Sequence, residues 1–249
     1  MIKALALEYF KLRRKRIIIM AALFLCVEML WALVSVTMSM ARNPDTADWK
    51  TVIATTASMN GLFLPLISAI IVSRLCDMEH KGNTWKMIIT ARMSLGQIYA
   101  AKYICALSLL LLYIVLQAGI ISGFGIMYGF KSLPLLLLLQ YIGGALLTSM
   151  AIIALQQWIS LAVTNQSFAL SLGMIGGFIG MTADLFPAMV RRVFIWSYYS
   201  GLSPVTYLYT EQSAIFIVQP PSFGLRLAVL LMGIVFYAAG CIHVSRQEV

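Results

Sequence analysis

Charged residues are scarce in this sequence. Asp, Glu, Lys and Arg together make up 11% of its 249 residues, whereas 61% of the residues are apolar. Soluble globular domains carry about 25% charged and about 45–50% apolar residues. The composition therefore excludes a soluble globular protein and predicts a polytopic membrane protein.

Residues that bind metals or form disulfides are also few. The four cysteines and two histidines are Cys26, Cys76, Cys105, Cys241, His80 and His243. The cysteines stand singly with no CxxC pair, which excludes a disulfide framework and a metal knuckle. Two isolated histidines cannot build a histidine-rich metal site, so we expect no metal site in this chain.

Catalytic motifs are absent from the sequence. It contains no GxxxxGK[ST] phosphate-binding loop, no HExxH and no GxSxG, so it lacks the signatures of nucleotide hydrolysis, metalloproteases and serine hydrolases. An intramembrane protease would need acids and histidines that converge on adjacent helices, and the few present are dispersed. We therefore expect no enzyme activity and no cofactor in this chain, and any energy source must be supplied by another subunit.

Long apolar segments, by contrast, fill most of the chain. Six segments are long enough to cross a hydrocarbon core, which needs about 20 residues. They run approximately over 17–38, 52–75, 103–128, 134–162, 167–188 and 222–244. We predict an all-α fold in which residues 1–249 form one transmembrane domain.

Residues 1–16 precede the first segment and are amphipathic. Apolar residues follow one stripe while basic residues occupy the other faces, which is typical of a helix that lies in the membrane interface. The stripe comprises Ile2, Leu5, Ala6, Tyr9 and Leu12. Of the 18 Lys and Arg residues, 12 fall on the side of this helix and 6 on the other side. Because an excess of Lys and Arg marks the cytoplasmic side, we expect both termini in the cytoplasm.

The polar stretch from Arg74 to Lys102 is dense in charge compared with the other links between segments. From Glu79 onward its apolar residues recur at i, i+3, i+4 and i+8, the spacing of one helix face. These residues are Trp85, Ile88, Ile89 and Met93. We predict that the loop 76–102 contains an amphipathic helix that docks on a soluble partner protein.

Glu28 lies within the first apolar segment. A carboxylate at mid-bilayer costs about 2.5–3.5 kcal/mol, so Glu28 should face protein or water. Two interpretations remain open for it, a functional-site residue and a hydrogen-bonding group between helices. Asp184, near the outer end of the fifth segment, is shallow enough to reach water or Arg191 and Arg192.

Residues 190–222 are aromatic, semi-apolar and interrupted by one glycine and three prolines. Such pieces are too short to span a membrane and too apolar to lie in water, which favours short re-entrant or interfacial helices before the last span. We expect Trp196, Tyr198 and Tyr199 at headgroup depth. An aromatic belt without a binding role and a contact surface for cargo both remain open.

Glycines recur at GxxxG spacing in two segments. The pairs are Gly119/Gly123, Gly125/Gly129, Gly173/Gly177 and Gly176/Gly180. This spacing lets helix backbones approach closely in lipid. It indicates packing within the chain or, alternatively, a subunit interface lined by the fifth segment.

Two motifs carry a resemblance to a known family. One is the basic amphipathic start that ends at Lys11-Leu12-Arg13-Arg14. The other is Glu79-His80-Lys81-Gly82-Asn83-Thr84-Trp85-Lys86, followed by Ser94 and Ala101-Lys102. The chain resembles the six-helix permeases of type-2 ABC transporters, and within them the lantibiotic immunity permeases of Gram-positive bacteria. It departs from the family pattern in lacking a proline near Ala91-Arg92.

The resemblance implies a division of labour between subunits. Two permease chains, identical or related, would form the membrane pathway, and two ATP-binding cassette subunits would bind ATP and Mg and dock in the cytoplasm. The coupling residues would be Glu79, Lys81, Gly82, Thr84, Trp85, Lys86, Ile88, Ile89 and Arg92. Residues of the pathway or cargo site would be Glu28, Trp196, Tyr198 and Tyr199.

The resemblance also implies a cargo and a location. In immunity systems a cationic, amphipathic peptide antibiotic is removed from the producer's own membrane, the bacterial cytoplasmic (plasma) membrane. Two alternatives remain open. One is a type-2 permease for another cargo, such as bacitracin, a lipid or a hydrophobic drug. The other is a non-transporting membrane scaffold or sensor.

Overall fold

The computed structural model describes residues 2–14, 16–82, 94–163, 165–209, 214–220 and 222–246. The helices are α1 (Ile2–Arg14), α2 (Ile17–Arg42), α3 (Trp49–Gly82), α4 (Leu95–Met127), α5 (Leu135–Ala162), α6 (Gln166–Met181), α7 (Ala188–Val193), α8 (Tyr198–Gly201) and α9 (Phe223–Ser245). The strands are β1 (Val205–Tyr209) and β2 (Ala214–Val218). Short 3-10 turns cover Pro44–Thr46, Ala183–Leu185 and Ile195–Ser197.

Helix α3 lies at the centre of the bundle and contacts α2, α4, α5 and α6. Of its most apolar stretch, 72% is buried, against 28% for α2 and 17% for α9, which leave wide apolar faces uncovered. Residues 83–93 connect α3 to α4, and we call the side of the bundle where these two helices meet this connection the loop end. At the opposite end, the far end, Trp49 donates its indole N–H to the carbonyl of Lys131 at 2.7 Å.

Among the described residues, five helices are long and apolar enough to cross a membrane, namely α2, α3, α4, α5 and α9. The segment predicted to be the fifth of six spans, 167–188, instead contains the 16-residue helix α6. At 1.5 Å per residue α6 is about 24 Å long, shorter than a hydrocarbon core of about 30 Å. The structure therefore supports a polytopic helical membrane protein, whereas six spans are not confirmed.

Close backbone contact explains where α6 lies and how it ends. A Cβ atom at Gly177 would lie 2.9 Å from the carbonyl oxygen of Leu62, and one at Gly61 would lie 2.6 Å from that of Gly180. Only glycine permits this approach, as expected for GxxxG pairs. Because Gly61 lies in the first half of α3, α6 ends before it reaches the start of its neighbour. These glycines serve packing within the chain.

The space beyond α6 is filled by α7, α8 and the turns around them. Tyr199 of α8 shares a hydrogen bond with Ser149 in the middle of α5, at 2.9 Å, and the carbonyl of Leu202 lies against Gly144. The short helices thus enter the bundle beside α3 and α5. Their position agrees with the expected interruption of the chain before the last span.

The β-hairpin is a feature that the all-α prediction missed. β1 and β2 pair antiparallel, with Val205 opposite Val218 and Tyr209 opposite Ala214. Both strands are rich in β-branched and aromatic residues, which favour extended pairing. The sequence predicted short helices for residues 190–222, because aromatic composition alone does not reveal that the residues of β1 and β2 pair.

Candidate functional site

A closed network of buried polar side chains crosses the helix bundle. Glu28 of α2 accepts hydrogen bonds from Tyr113 and Gln117 of α4, both at 2.7 Å. Gln117 also donates to Asn60 of α3 at 2.9 Å, and Asn60 donates to Tyr141 of α5 at 2.8 Å. Tyr141 closes the ring by donating to the Gln117 oxygen at 3.0 Å. We call these five residues the Glu28 network.

The Glu28 network joins four helices in a region without solvent. Glu28 and Gln117 have no exposed surface, and Asn60, Tyr113 and Tyr141 are at most 3% exposed. Both hydrogen bonds to Glu28 use the oxygen Oε2, while Oε1 has no partner among the described residues. The arrangement matches the interpretation of Glu28 as a hydrogen-bonding group between helices. Contact between Glu28 and cargo would require these helices to separate.

A second buried polar cluster lies at the loop end and was not predicted. Lys102 of α4 contacts both carboxylate oxygens of Glu8 of α1 at 3.1 Å. Its ammonium group also donates to the carbonyl of Leu75 in α3 at 2.9 Å. Lys11 pairs with the same carboxylate at 2.9 Å. We call Glu8, Lys11 and Lys102 with the Leu75 carbonyl the Glu8–Lys102 clamp.

The clamp ties α1 to the two helices that flank residues 83–93. Glu8 and Lys102 are each 1% exposed, so each charge depends on the other for compensation. A buried ammonium group with carboxylate and carbonyl partners is satisfied, and loss of Glu8 would remove the carboxylate that it contacts with both oxygens. The end of α3, the start of α4 and α1 are therefore held as one unit.

The packed face of α1 differs from the predicted apolar stripe. Ala4, Glu8 and Leu12 are buried at i, i+4 and i+8, whereas Ala6 and Tyr9 are exposed. Leu12 belongs both to the packed face and to the predicted stripe, and the membrane contact of the exposed Ala6 and Tyr9 stays a prediction. An acidic residue midway between buried Ala4 and Leu12 was the available signal for the clamp.

The first two-thirds of this architecture match a known family. Residues 4–183 match the model of a family described as ABC-2 family transporter protein. The chain belongs to the ABC-2 transporter family. It is therefore a multi-pass membrane protein and the membrane permease component of an ABC transporter. Such permeases are typically not catalytic themselves and generally work with an ATP-binding cassette partner. A search of curated proteins gives no match.

The predicted coupling residues of the permease are only partly described. The backbone of Glu79, Lys81 and Gly82 belongs to the last turns of α3, so the helix of the second span continues into the coupling loop. Six further predicted residues lie outside the described residues. These are Thr84, Trp85, Lys86, Ile88, Ile89 and Arg92.

The aromatic candidates of the permease are held by protein rather than exposed at a membrane surface. Tyr198 and Tyr199 are each 3% exposed. Tyr198 donates to the carbonyl of Arg192 at 2.8 Å. The indole ring of Trp196 lies against Gly176 of α6. The two tyrosines anchor α8 against the bundle, and their headgroup depth stays a prediction.

Burial raises the pKa of Tyr199 above its usual value, and the hydrogen bond with Ser149 opposes this effect only in part. Burial likewise raises the pKa of Tyr198, against the lowering effect of the nearby Arg192. Both side chains are therefore neutral phenols at physiological pH. At the end of α6, Asp184 forms the expected ion pair with Arg191, at 3.3 Å.

Proposed function

We propose that this permease is the membrane subunit of an ATP-driven exporter that removes a lantibiotic-type peptide from the producer's membrane. Two permease chains, identical or related, form the pathway, and two ATP-binding cassette subunits bind ATP and Mg on the cytoplasmic side. The family membership supports the permease role. The motif from Glu79 to Lys86 supports the immunity subfamily, and the bias of Lys and Arg supports cytoplasmic termini in a bacterial plasma membrane.

The observation that carries the mechanism is the Glu8–Lys102 clamp. The predicted coupling loop 76–102 includes the end of α3 and the start of α4, and the clamp fastens these two helices to each other and to α1. A push on the loop therefore displaces three helices together instead of bending one helix end. An ATPase bound to the loop therefore moves the ends of these three helices as one rigid unit.

Helices α3 and α4 also transmit this motion to the middle of the bundle. Asn60 belongs to α3, and Tyr113 and Gln117 belong to α4, so motion of this helix pair relative to α2 and α5 strains its hydrogen bonds to Glu28 and Tyr141. A hydrogen-bonded ring in a low-dielectric interior has discrete arrangements, because a half-broken ring leaves buried groups unsatisfied. In this mechanism the network is the element that opens when the ATPase subunits close.

In the docking step, Trp85, Ile88 and Ile89 enter a groove on the ATPase, as amphipathic helices do in helix-in-groove complexes. The Trp85→Ala variant should lose transport while still inserting into the membrane. The measurement is the growth-inhibiting concentration of a cationic lantibiotic for a sensitive bacterium that expresses the permease with its ATP-binding subunit. Trp31→Ala, at an exposed position on α2, is the matched control and should keep protection.

The same assay separates the alternatives. Unchanged protection in Trp85→Ala contradicts the coupling role of that residue. Tolerance that rises only for bacitracin or a hydrophobic drug contradicts the lantibiotic cargo and leaves the permease role intact. A chain that raises tolerance to none of these compounds, with an active ATPase present, fits the scaffold or sensor alternative.

A further inference from the structure

Two adjoining cavities lie beside the start of α9, outside the residues that match the family model. The first, about 180 Å³, is lined by polar groups that include Arg191, Arg192, Tyr198 and Gln219. The second, about 400 Å³, shares Arg192, Tyr198, Ser222 and Leu225 with the first. These shared residues place the two cavities side by side.

The first cavity has a net positive charge. Arg191 and Arg192 both line it, and Asp184 neutralises only Arg191, at 3.3 Å. Arg192 is exposed and pairs with no carboxylate in the described part of the chain. A guanidinium group presents a planar fork of N–H donors that matches the oxygens of a phosphate group.

The second cavity extends this charged site along an apolar surface. Leu225, Ala228 and Met232 line it, and their spacing of i, i+3 and i+7 places them on one face of α9. At the charged end, Ser222 accepts a hydrogen bond from the Leu225 amide, which leaves its hydroxyl proton free to be donated. The site therefore has a phosphate-binding head and an apolar tail.

We propose that this site binds an anionic phospholipid, with its phosphate between Arg191 and Arg192 and an acyl chain along Leu225, Ala228 and Met232. Free phosphate would not use the apolar surface. A cationic peptide would be repelled by the arginine pair, so the site is distinct from the site of the proposed cargo. The proposal does not rest on the identity of that cargo.

Native mass spectrometry of the purified permease in detergent tests the assignment. Phosphatidylglycerol and phosphatidylcholine are added in turn, and the fraction of protein that carries each lipid is measured. We expect phosphatidylglycerol to bind more strongly, and Arg192→Gln to weaken its binding roughly tenfold, the loss expected for a charge-assisted hydrogen-bonding group. The fold should survive, since the Arg192 side chain makes no ion pair with the described residues. The backbone carbonyl of residue 192, which accepts the hydrogen bond from Tyr198, is retained in the variant.

Two matched controls sharpen the test. Arg226→Gln removes a charge from the exposed first turn of α9 outside both cavities and should leave lipid binding unchanged. Ala228→Phe fills the apolar cavity and should weaken binding, whereas Ala238→Phe, exposed on the same helix outside these two cavities, should not. Equal phosphatidylglycerol binding in the wild type and Arg192→Gln overturns the proposal. Displacement of the lipid by inorganic phosphate at a similar concentration, or unaffected binding in Ala228→Phe, overturns the lipid assignment.

Discussion

Lys102 carries a charge into the interior of the helix bundle, where it is 1% exposed. A buried ammonium group is tolerated only where partners compensate its lost hydration. Glu8 supplies the opposite charge and the Leu75 carbonyl supplies a further acceptor. This one residue therefore decides which face of α1 packs on the bundle.

Replacing Glu8 tests that dependence. Glu8→Gln should destabilise the permease by about 3–5 kcal/mol, the typical cost of removing one partner from a buried ion pair. Thermal unfolding of the purified protein in detergent measures the loss. Asp45→Asn changes an exposed acidic residue in the link between α2 and α3. This variant is the matched control and should leave the midpoint temperature of thermal unfolding unchanged.

The double variant Glu8→Leu with Lys102→Met should recover most of the stability, because an apolar pair of similar size replaces a buried ion pair at little cost. If Glu8→Gln unfolds at the wild-type temperature, the clamp does not hold α1 in the way described.

At the scale of elements, α6 shows what local sequence can and cannot specify. The apolar run over 167–188 predicted a membrane-spanning helix, and most of that run is indeed helical. Composition does not show where the helix ends, because its end depends on contacts with the distant residues Gly61 and Trp196. The hairpin was missed for a similar reason, since its register depends on pairing between β1 and β2.

The close approach of α3 and α6 makes Gly61 sensitive to substitution. Gly61→Ala would place a Cβ 2.6 Å from the Gly180 carbonyl oxygen, and the resulting overpacking should cost about 1–3 kcal/mol. Thermal unfolding measures this loss.

Gly119→Ala, on α4, is the control for Gly61→Ala. No heavy atom lies within 4 Å of a Cβ built at Gly119 among the described residues, and alanine favours a helix over glycine by roughly 0.5–1 kcal/mol. This variant should be as stable as the wild type or more stable. A Gly61→Ala protein that matches Gly119→Ala would contradict the close packing of α3 on α6.

At the scale of the whole molecule, sequence predicted the class of protein and some of its polar sites. The scarcity of charge and the long apolar runs indicated a polytopic helical permease, and Glu28 was identified as a candidate from its position alone. The four other members of its network were not identified, because Asn60, Tyr113, Gln117 and Tyr141 come together only when three other helices pack. The sequence likewise placed Lys102 in a charged loop, because its partners Glu8 and Leu75 meet it only when α1, α3 and α4 pack.

We propose that those polar sites transmit motion from the loop end to the middle of the bundle. The clamp joins α1, α3 and α4, and α3 and α4 carry three members of the Glu28 network. In the proposed mechanism, motion begins when an ATPase subunit docks on the predicted coupling loop 76–102. Without that partner, neither the clamp nor the network has an energy source.

Affinity purification of the permease from its native membrane in mild detergent, followed by mass spectrometry, tests the proposed docking of an ATPase. We expect a stoichiometric ATP-binding cassette subunit with the wild-type chain, and loss of that subunit when Trp85 and Ile88 are both replaced by Asp. An absence of any ATP-binding cassette subunit from the wild-type sample, under conditions that preserve known transporter complexes, would contradict it.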